Sequence, residues 1–255
     1  MYFIDTHTHL YAEEFAGDII TVVQRAIENG VNKLMLPDID STTRNEMLNL
    51  SDKFPDVCLP MLGLHPTSVK ENFKAELNLL NEEIGKNKYY GIGETGIDLY
   101  WDKTYYREQI ESFTFQIEMA LKYKLPIVIH SRKSLNEILS ILKPYKNSGL
   151  SGIFHCFPGN LQEAEKVIEM GFFLGIGGVV TYKKASMAEV VKHFGLEHIV
   201  LETDSPYLSP APYRGKRNES SFIRIISEFI AELLNTTIEK VADTTTVNAR
   251  KIFRF

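Results

Sequence analysis

The chain has 255 residues, 44% hydrophobic and 24% charged, with a formal net charge of −5. That length supports one large core, and no run approaches the roughly 18 apolar residues of a membrane span. The acidic balance argues against wide, charge-driven coating of nucleic acid, which scales with the phosphates neutralised by Lys and Arg, but leaves room for a local phosphate site.

The expectation from length is a single domain over residues 1–255, with a monomer favoured; no basic segment precedes an apolar run at the start of the chain, so a cytoplasmic protein without a membrane partner is expected. Eight strand-like apolar runs follow in order. They read FIDTHTH from residue 3, KLMLPD from 33, VCLPMLGLH from 57 and YGIGETGI from 90, then PIVIHS from 126, GIFHCF from about 151, FFLGIGG from 172 and HIVLETD from 198. Several are short, β-branched and bounded by Gly or Pro, as buried parallel strands tend to be. Helical patterns lie between them. The clearest spans 103–122, where Tyr106, Ile110, Phe113, Ile117 and Leu121 recur at helical spacing, and a last one at 237–253 carries Ile238, Val241, Ala242, Thr245, Ala249 and Ile252. Alternating strands and helices over this length predict an α/β fold of the (β/α)8 TIM-barrel type. A doubly wound open sheet is the rival, but no strand is followed by GxGxxG or GxxxxGK[ST]. Cys58 and Cys156 form no CxxC pair, so buried reduced thiols are expected rather than a zinc ribbon or redox motif.

Side chains alternate faces along a strand, so His7 and His9 share a face with Asp5. Glu94, His130, His155, Glu202 and Asp204 fall near the ends of later strands. In a parallel barrel those ends converge on the rim where barrel enzymes place their chemistry. Imidazole nitrogen and carboxylate oxygen together suit divalent zinc, manganese or iron. Two ions about 3.5 to 4 Å apart would lower the pKa of a bridging water and clamp the oxygens of a displacement. A lone inward histidine is more often a satisfied core residue than a ligand, and HxH alone is a weak motif. Ligand-type residues on five strand ends favour the metal reading for His7, His9, Glu94, His130, His155 and Asp204. Asp5 and Glu202 lie one pleat deeper and are expected to hydrogen-bond to ligands.

His65, in GLHP, is open between ligand, substrate contact and structure, with substrate contact preferred. Arg132 and Arg214 are candidates for holding an anion. Lys216 and Arg217 are as readily solvated charges, and His193 and His198 read as surface residues. Tyr100, Trp101, Phe157, Tyr207 and Tyr213 could stack a terminal base or simply pack between loops.

The motifs DTHTHL, GLHP, GIGETGIDLYW, PIVIHSR, GIFHCFPG, GIGGVVTYK, LETDSPYLSPAPYRGKRNE and VNARKIF together resemble the TatD family of metal-dependent deoxyribonucleases from residue 4 to 253. The resemblance implies a barrel holding two divalent ions (Mg, Mn or Zn). His7, His9, Glu94 and Asp204 would hold one, and Glu94, His130 and His155 the other, with His65 and Arg214 beside the substrate phosphate. It also implies DNA as partner and 3′ to 5′ exonuclease activity. The sequence departs from the family pattern at Thr95, Ile97, Pro158 and Ser220, none of them a ligand.

The mechanism expected on this basis is phosphodiester hydrolysis, with Asp204 as general base and Glu94 bridging the ions. Two carboxylates against two divalent ions leave net positive charge, which favours an anionic substrate. A hydrolase of ester or C–N bonds is the alternative, an aminoacyl-tRNA deacylase among them. Related barrels often bridge their ions with a carbamylated lysine from the fourth strand, where this chain offers Glu94. A metal-holding scaffold without turnover is a third, lesser reading.

Overall fold

In the computed structural model, which describes residues 1–255, each of the eight apolar runs overlaps a strand. These are β1 (Phe3–Asp5), β2 (Val31–Leu36), β3 (Cys58–Pro60), β4 (Ile92–Asp98), β5 (Ile127–Arg132), β6 (Gly152–Phe154), β7 (Phe173–Ile176) and β8 (Ile199–Leu201). Every pairing is parallel and joins neighbours in sequence, β1 through β3 and β4 through β8. Two seams close the ring. Leu62 bridges to Ile92, with Gly93 N–H donating to Leu62 O at 2.9 Å. Thr8 bridges to Ser205, flanked by Thr6 N–H to Leu201 O (3.0 Å) and His9 N–H to Ser205 O (2.8 Å). The result is the expected (β/α)8 barrel.

Nine helices complete it: α1 (Ile19–Glu28), α2 (Arg44–Lys53), α3 (Phe73–Glu83), α4 (Tyr106–Tyr123), α5 (Leu135–Leu142), α6 (Leu161–Glu169), α7 (Met187–Phe194), α8 (Ile223–Leu233) and α9 (Ile238–Phe253). α4 starts later than its periodicity predicts, because the Asp102 carboxylate takes the Thr104 N–H at 2.8 Å and holds a local turn ahead of Tyr106. α9 begins where expected, with the Thr237 side chain accepting from Lys240 N–H.

The strands are apolar on both faces because each face has its own core. Phe3, Leu34, Leu36, Ile127, Ile129, Phe154, Ile199 and Leu201 pack in the large cluster that includes the helices. The alternate residues Ile4, Met35, Leu59, Val128, Ile153 and Val200 form a separate cluster with Ala249, Ile252 and Phe253 of α9. α9 therefore closes one mouth of the barrel, which leaves the strands' C-terminal ends as the open face.

Candidate metal centre

After Asp5 the chain leaves the regular ladder through a bend at residues 6 and 7, and this bend delivers both histidines to the axis. The Nε2 atoms of buried His7 and His9 lie 3.2 Å apart. Glu94, buried in β4, places Oε2 at 3.1 Å from His7 Nε2 and 3.4 Å from His9 Nε2, and Asp204 Oδ1 lies 3.6 Å from both nitrogens. The other Glu94 oxygen faces a second cluster. Oε1 lies 2.7 Å from His130 Nδ1, 3.3 Å from His155 Nε2 and 3.3 Å from His65 Nε2.

Ligand atoms bound at zinc-like distances in a tetrahedron stand about 3.4 Å from one another. The first cluster has that spacing, and its four donors are nitrogen and carboxylate oxygen with no thiolate. Packing two imidazole Nε2 lone pairs against two carboxylates is unfavourable without a cation between them.

The far side of the His9, His130 and His155 rings shows which nitrogen carries the lone pair inward, whereas buried His7 Nδ1 has no such partner. Tyr11 Oη donates to Pro37 O and so accepts from His9 Nδ1, which lies 3.1 Å from Tyr11 Oη, leaving His9 Nε2 free. His130 Nε2 faces Asp98 Oδ2 at 3.0 Å, which leaves Nδ1 free toward Glu94. His155 Nδ1 faces Glu202 Oε1 at 3.4 Å, which leaves Nε2 free. His65 is wired the opposite way. Its Nδ1 accepts Thr67 N–H at 3.1 Å, so the neutral ring carries its proton on Nε2. It therefore presents an N–H to the cluster, a hydrogen-bond donor where the other rings offer a lone pair. The donor set thus fits divalent metal, with Glu94 facing both clusters.

Charge follows the same layout. Burial pushes the Glu94 carboxyl up, but His65, His155 and His7 outweigh it and hold the group well below the usual carboxylate range. Burial also opposes ionisation of Asp98, yet His130 and the N–H groups of Trp101 and Tyr100 keep it at about 2. Asp204 goes the other way, raised by burial to about 6 against the pull of His155 and His9. Its backbone sits at φ +57, in the left-handed region, where a non-glycine residue often marks a functional position.

Of the two acids expected to orient ligands, Glu202 places Oε1 3.4 Å from His155 Nδ1 and accepts Cys156 N–H at 2.5 Å. Gly175 leaves room for it, since a Cβ there would stand 2.2 Å from Glu202 Oε2. Asp5 does not touch an imidazole. The bend after it breaks the strand alternation, and its carboxylate accepts Thr203 N–H (2.9 Å), Thr203 O–H (2.6 Å) and His7 N–H (3.3 Å), tying β1 to β8.

Both clusters open into a cleft of about 430 Å³, whose wall includes His65, Trp101, Arg132, Asp204 and Tyr207. Arg214 does not line it. Its guanidinium lies 4.6 Å from the Tyr182 ring in a neighbouring groove with Lys183 and Lys184, because the loop after β8 turns outward beyond Leu208. Phe157 is buried and packs, so it is removed from the stacking candidates, and Tyr213 stacks on Phe222. Arg217 pairs with Asp18 at 2.7 Å, and Lys216 lies near the Tyr213 ring. His193 is exposed and His198 half-buried; Cys58 is buried and Cys156 half-buried.

Sequence reasoning missed Asp98 and Tyr11. Asp98 carried a signal, since it lies on the same face of β4 as Glu94, two pleats further on. Tyr11 lies in a loop, and nothing in its spacing marks it.

The family model for TatD related DNase matches residues 4–254. The chain belongs to that family. It is 37% identical over 251 residues to YabD of Bacillus subtilis, described as a metal-dependent hydrolase, covering 98% of each chain. The crystal structure of YjjV, a TatD homolog from Escherichia coli K12, superposes with a TM-score of 0.92 at 28% identity, over 99% of this chain and 98% of that one. A TatD family hydrolase from Entamoeba histolytica, at 23% identity and TM-score 0.85, shares the fold. Membership makes this TatD-family chain a metal-dependent hydrolase. No helix in it is long and apolar enough to cross a membrane.

Proposed function

We propose that this TatD-family protein hydrolyses phosphodiester bonds of DNA, removing nucleotides from the 3′ end of a strand. The observation that carries the reading is Glu94, whose two oxygens each face a separate set of inward imidazole lone pairs. His7, His9, Glu94 and Asp204 would hold one divalent ion (Mg, Mn or Zn), and Glu94, His130 and His155 the other. Such a pair supplies Lewis acidity at the phosphoryl oxygens and makes water a competent nucleophile near neutral pH.

The chain's own groups do the rest. Asp204, at the edge of the first cluster and open to the cleft, takes the proton of the attacking water. His65 donates its Nε2–H toward a phosphate oxygen, as its tautomer requires. Arg132 adds positive charge at the rim, while Arg214 stands outside the cleft wall beside Tyr182. β4 offers Glu94 where a carbamylated bridge would need a lysine, which favours phosphodiesters over amides.

The test is a time course on a 5′-labelled single-stranded oligonucleotide with magnesium or manganese, against EDTA and Asp204→Asn. A ladder shortening from the 3′ end, absent in both controls, is expected. No cleavage by protein shown to contain its ions would overturn the reading and turn attention to esters, aminoacyl-tRNA included, before C–N bonds. Turnover of any of these would dispose of a passive metal scaffold.

A further inference from the structure

The chain has a single tryptophan, and it stands with 67% of its surface in solvent at the lip of the cleft. Tyr100 beside it is 48% exposed, its ring edge-on to the indole with centroids 5.0 Å apart. The Arg132 guanidinium lies 4.2 Å from the Tyr100 centroid and 5.1 Å from that of Trp101, and Lys133 Nζ is 5.1 Å from Tyr100. Neither cation has a carboxylate partner within ion-pair distance.

An indole so exposed contributes little to a core, yet its backbone is pinned. Asp98 Oδ1 accepts the N–H of Tyr100 at 2.8 Å and of Trp101 at 3.0 Å, while Oδ2 of the same carboxylate faces His130 Nε2. One buried carboxylate thus sets both the ring of His130 and the loop that presents the aromatic pair. A surface fixed in advance loses less entropy when it binds, which is the usual mark of a recognition surface rather than a loose loop.

From this we infer that Trp101, backed by Tyr100 and flanked by Arg132, forms a stacking subsite for a nucleobase next to the scissile phosphate. The inference rests on the phosphodiester reading and assigns the substrate's planar part. The exposed indole offers a π-face to the base, and Arg132 and Lys133, held against Tyr100, offer charge to the adjoining phosphate. Because every base has a π-face, the subsite selects for the presence of a base rather than for a sequence. Asp98 acts through others and is a positioning residue for both subsite and His130.

Trp101 is its own reporter. Stopped-flow mixing of the manganese-loaded protein with a thymidine oligonucleotide should give a saturable quench of tryptophan emission, and an equal-length abasic oligonucleotide should give none. By anisotropy of the labelled oligonucleotides, Trp101→Ala should lower the thymidine-to-abasic affinity ratio about ten-fold. Trp101→Phe should keep most of it. Equal quenching by both strands, or an unchanged ratio in Trp101→Ala, would overturn the subsite. Neither readout needs turnover, so binding without cleavage would count against the hydrolytic reading and not against the subsite.

Discussion

At one mouth of the barrel Ile252 and Phe253 of α9 close over Ile4, Met35 and Val200, with no polar group among them. At the other, a few residues further along the same strands, His7, His9, Glu94, His130, His155 and Asp204 crowd together. The first mouth lowers free energy by removing apolar surface from water. The second raises it, because buried carboxylates and facing lone pairs favour separation until cations fill the gap. The lesson is that one frame of eight strands keeps cohesion at its base and spends it at its rim. If that division is real, variants at the two mouths should fail in different ways.

The largest effect is expected at Glu94, the one residue both clusters share. Glu94→Gln should lose bound metal and activity together while the fold persists, as read by metal analysis and circular dichroism. Full retention of metal would break the proposal that Glu94 is a shared ligand. Glu94 also fixes a pH dependence in metal-free protein. Burial lowers the His155 pKa, but Glu94 and Glu202 outweigh it and raise the ring to about 10, above its ordinary 6.5. A raised folded pKa gives stability that is complete below 6.5 and lost as pH climbs toward 10. Thermal midpoints of metal-free protein should therefore fall across that window, and Glu94→Gln should flatten the slope.

At the base, Phe253→Ala should cost about 3 to 5 kcal/mol by denaturant titration, the range for deleting a buried aromatic ring. Metal content and turnover per folded molecule should hold. A drop in either would mean that the plug and the rim are not separate after all. Between these extremes stands Asp98→Asn, which keeps the shape but weakens the grip on His130 and on the aromatic loop. Metal affinity should fall about 10- to 100-fold, as for other outer partners of ligating imidazoles. A competition titration against a chelator reads it directly.

The rim was legible where chemistry coincides with strand ends. HxH, the glutamate of β4, the histidine of β5 and the one just past β6 sit where the barrel must converge, so counting strands brought them together. At Asp5 the same counting holds only in part, because the bend after it lets the carboxylate reach the His7 backbone N–H rather than a ring. It overlooked Asp98 only because its purpose becomes visible beside His130. Loop residues were beyond it altogether. Arg214 and Tyr11 owe their positions to how long connections fold over the rim, and no local period encodes that.

Arg217 gives the smallest effect and a clean check on how rim charges divide. It lies in the same basic stretch as Arg214 and Lys216, so sequence alone left it between substrate contact and solvated charge. In the structure it holds Asp18 through two short hydrogen bonds of 2.7 and 2.8 Å and donates to Glu14 O, tying the loop after β8 to the start of α1. Both partners are about a third exposed, so water screens the pair. Arg217→Ala should lower stability by less than about 1 kcal/mol and leave KM for an oligonucleotide where it was. Raised salt should shrink even that difference. A several-fold rise in KM with stability unchanged would instead place Arg217 on the substrate side and extend the phosphate-binding rim beyond Arg132.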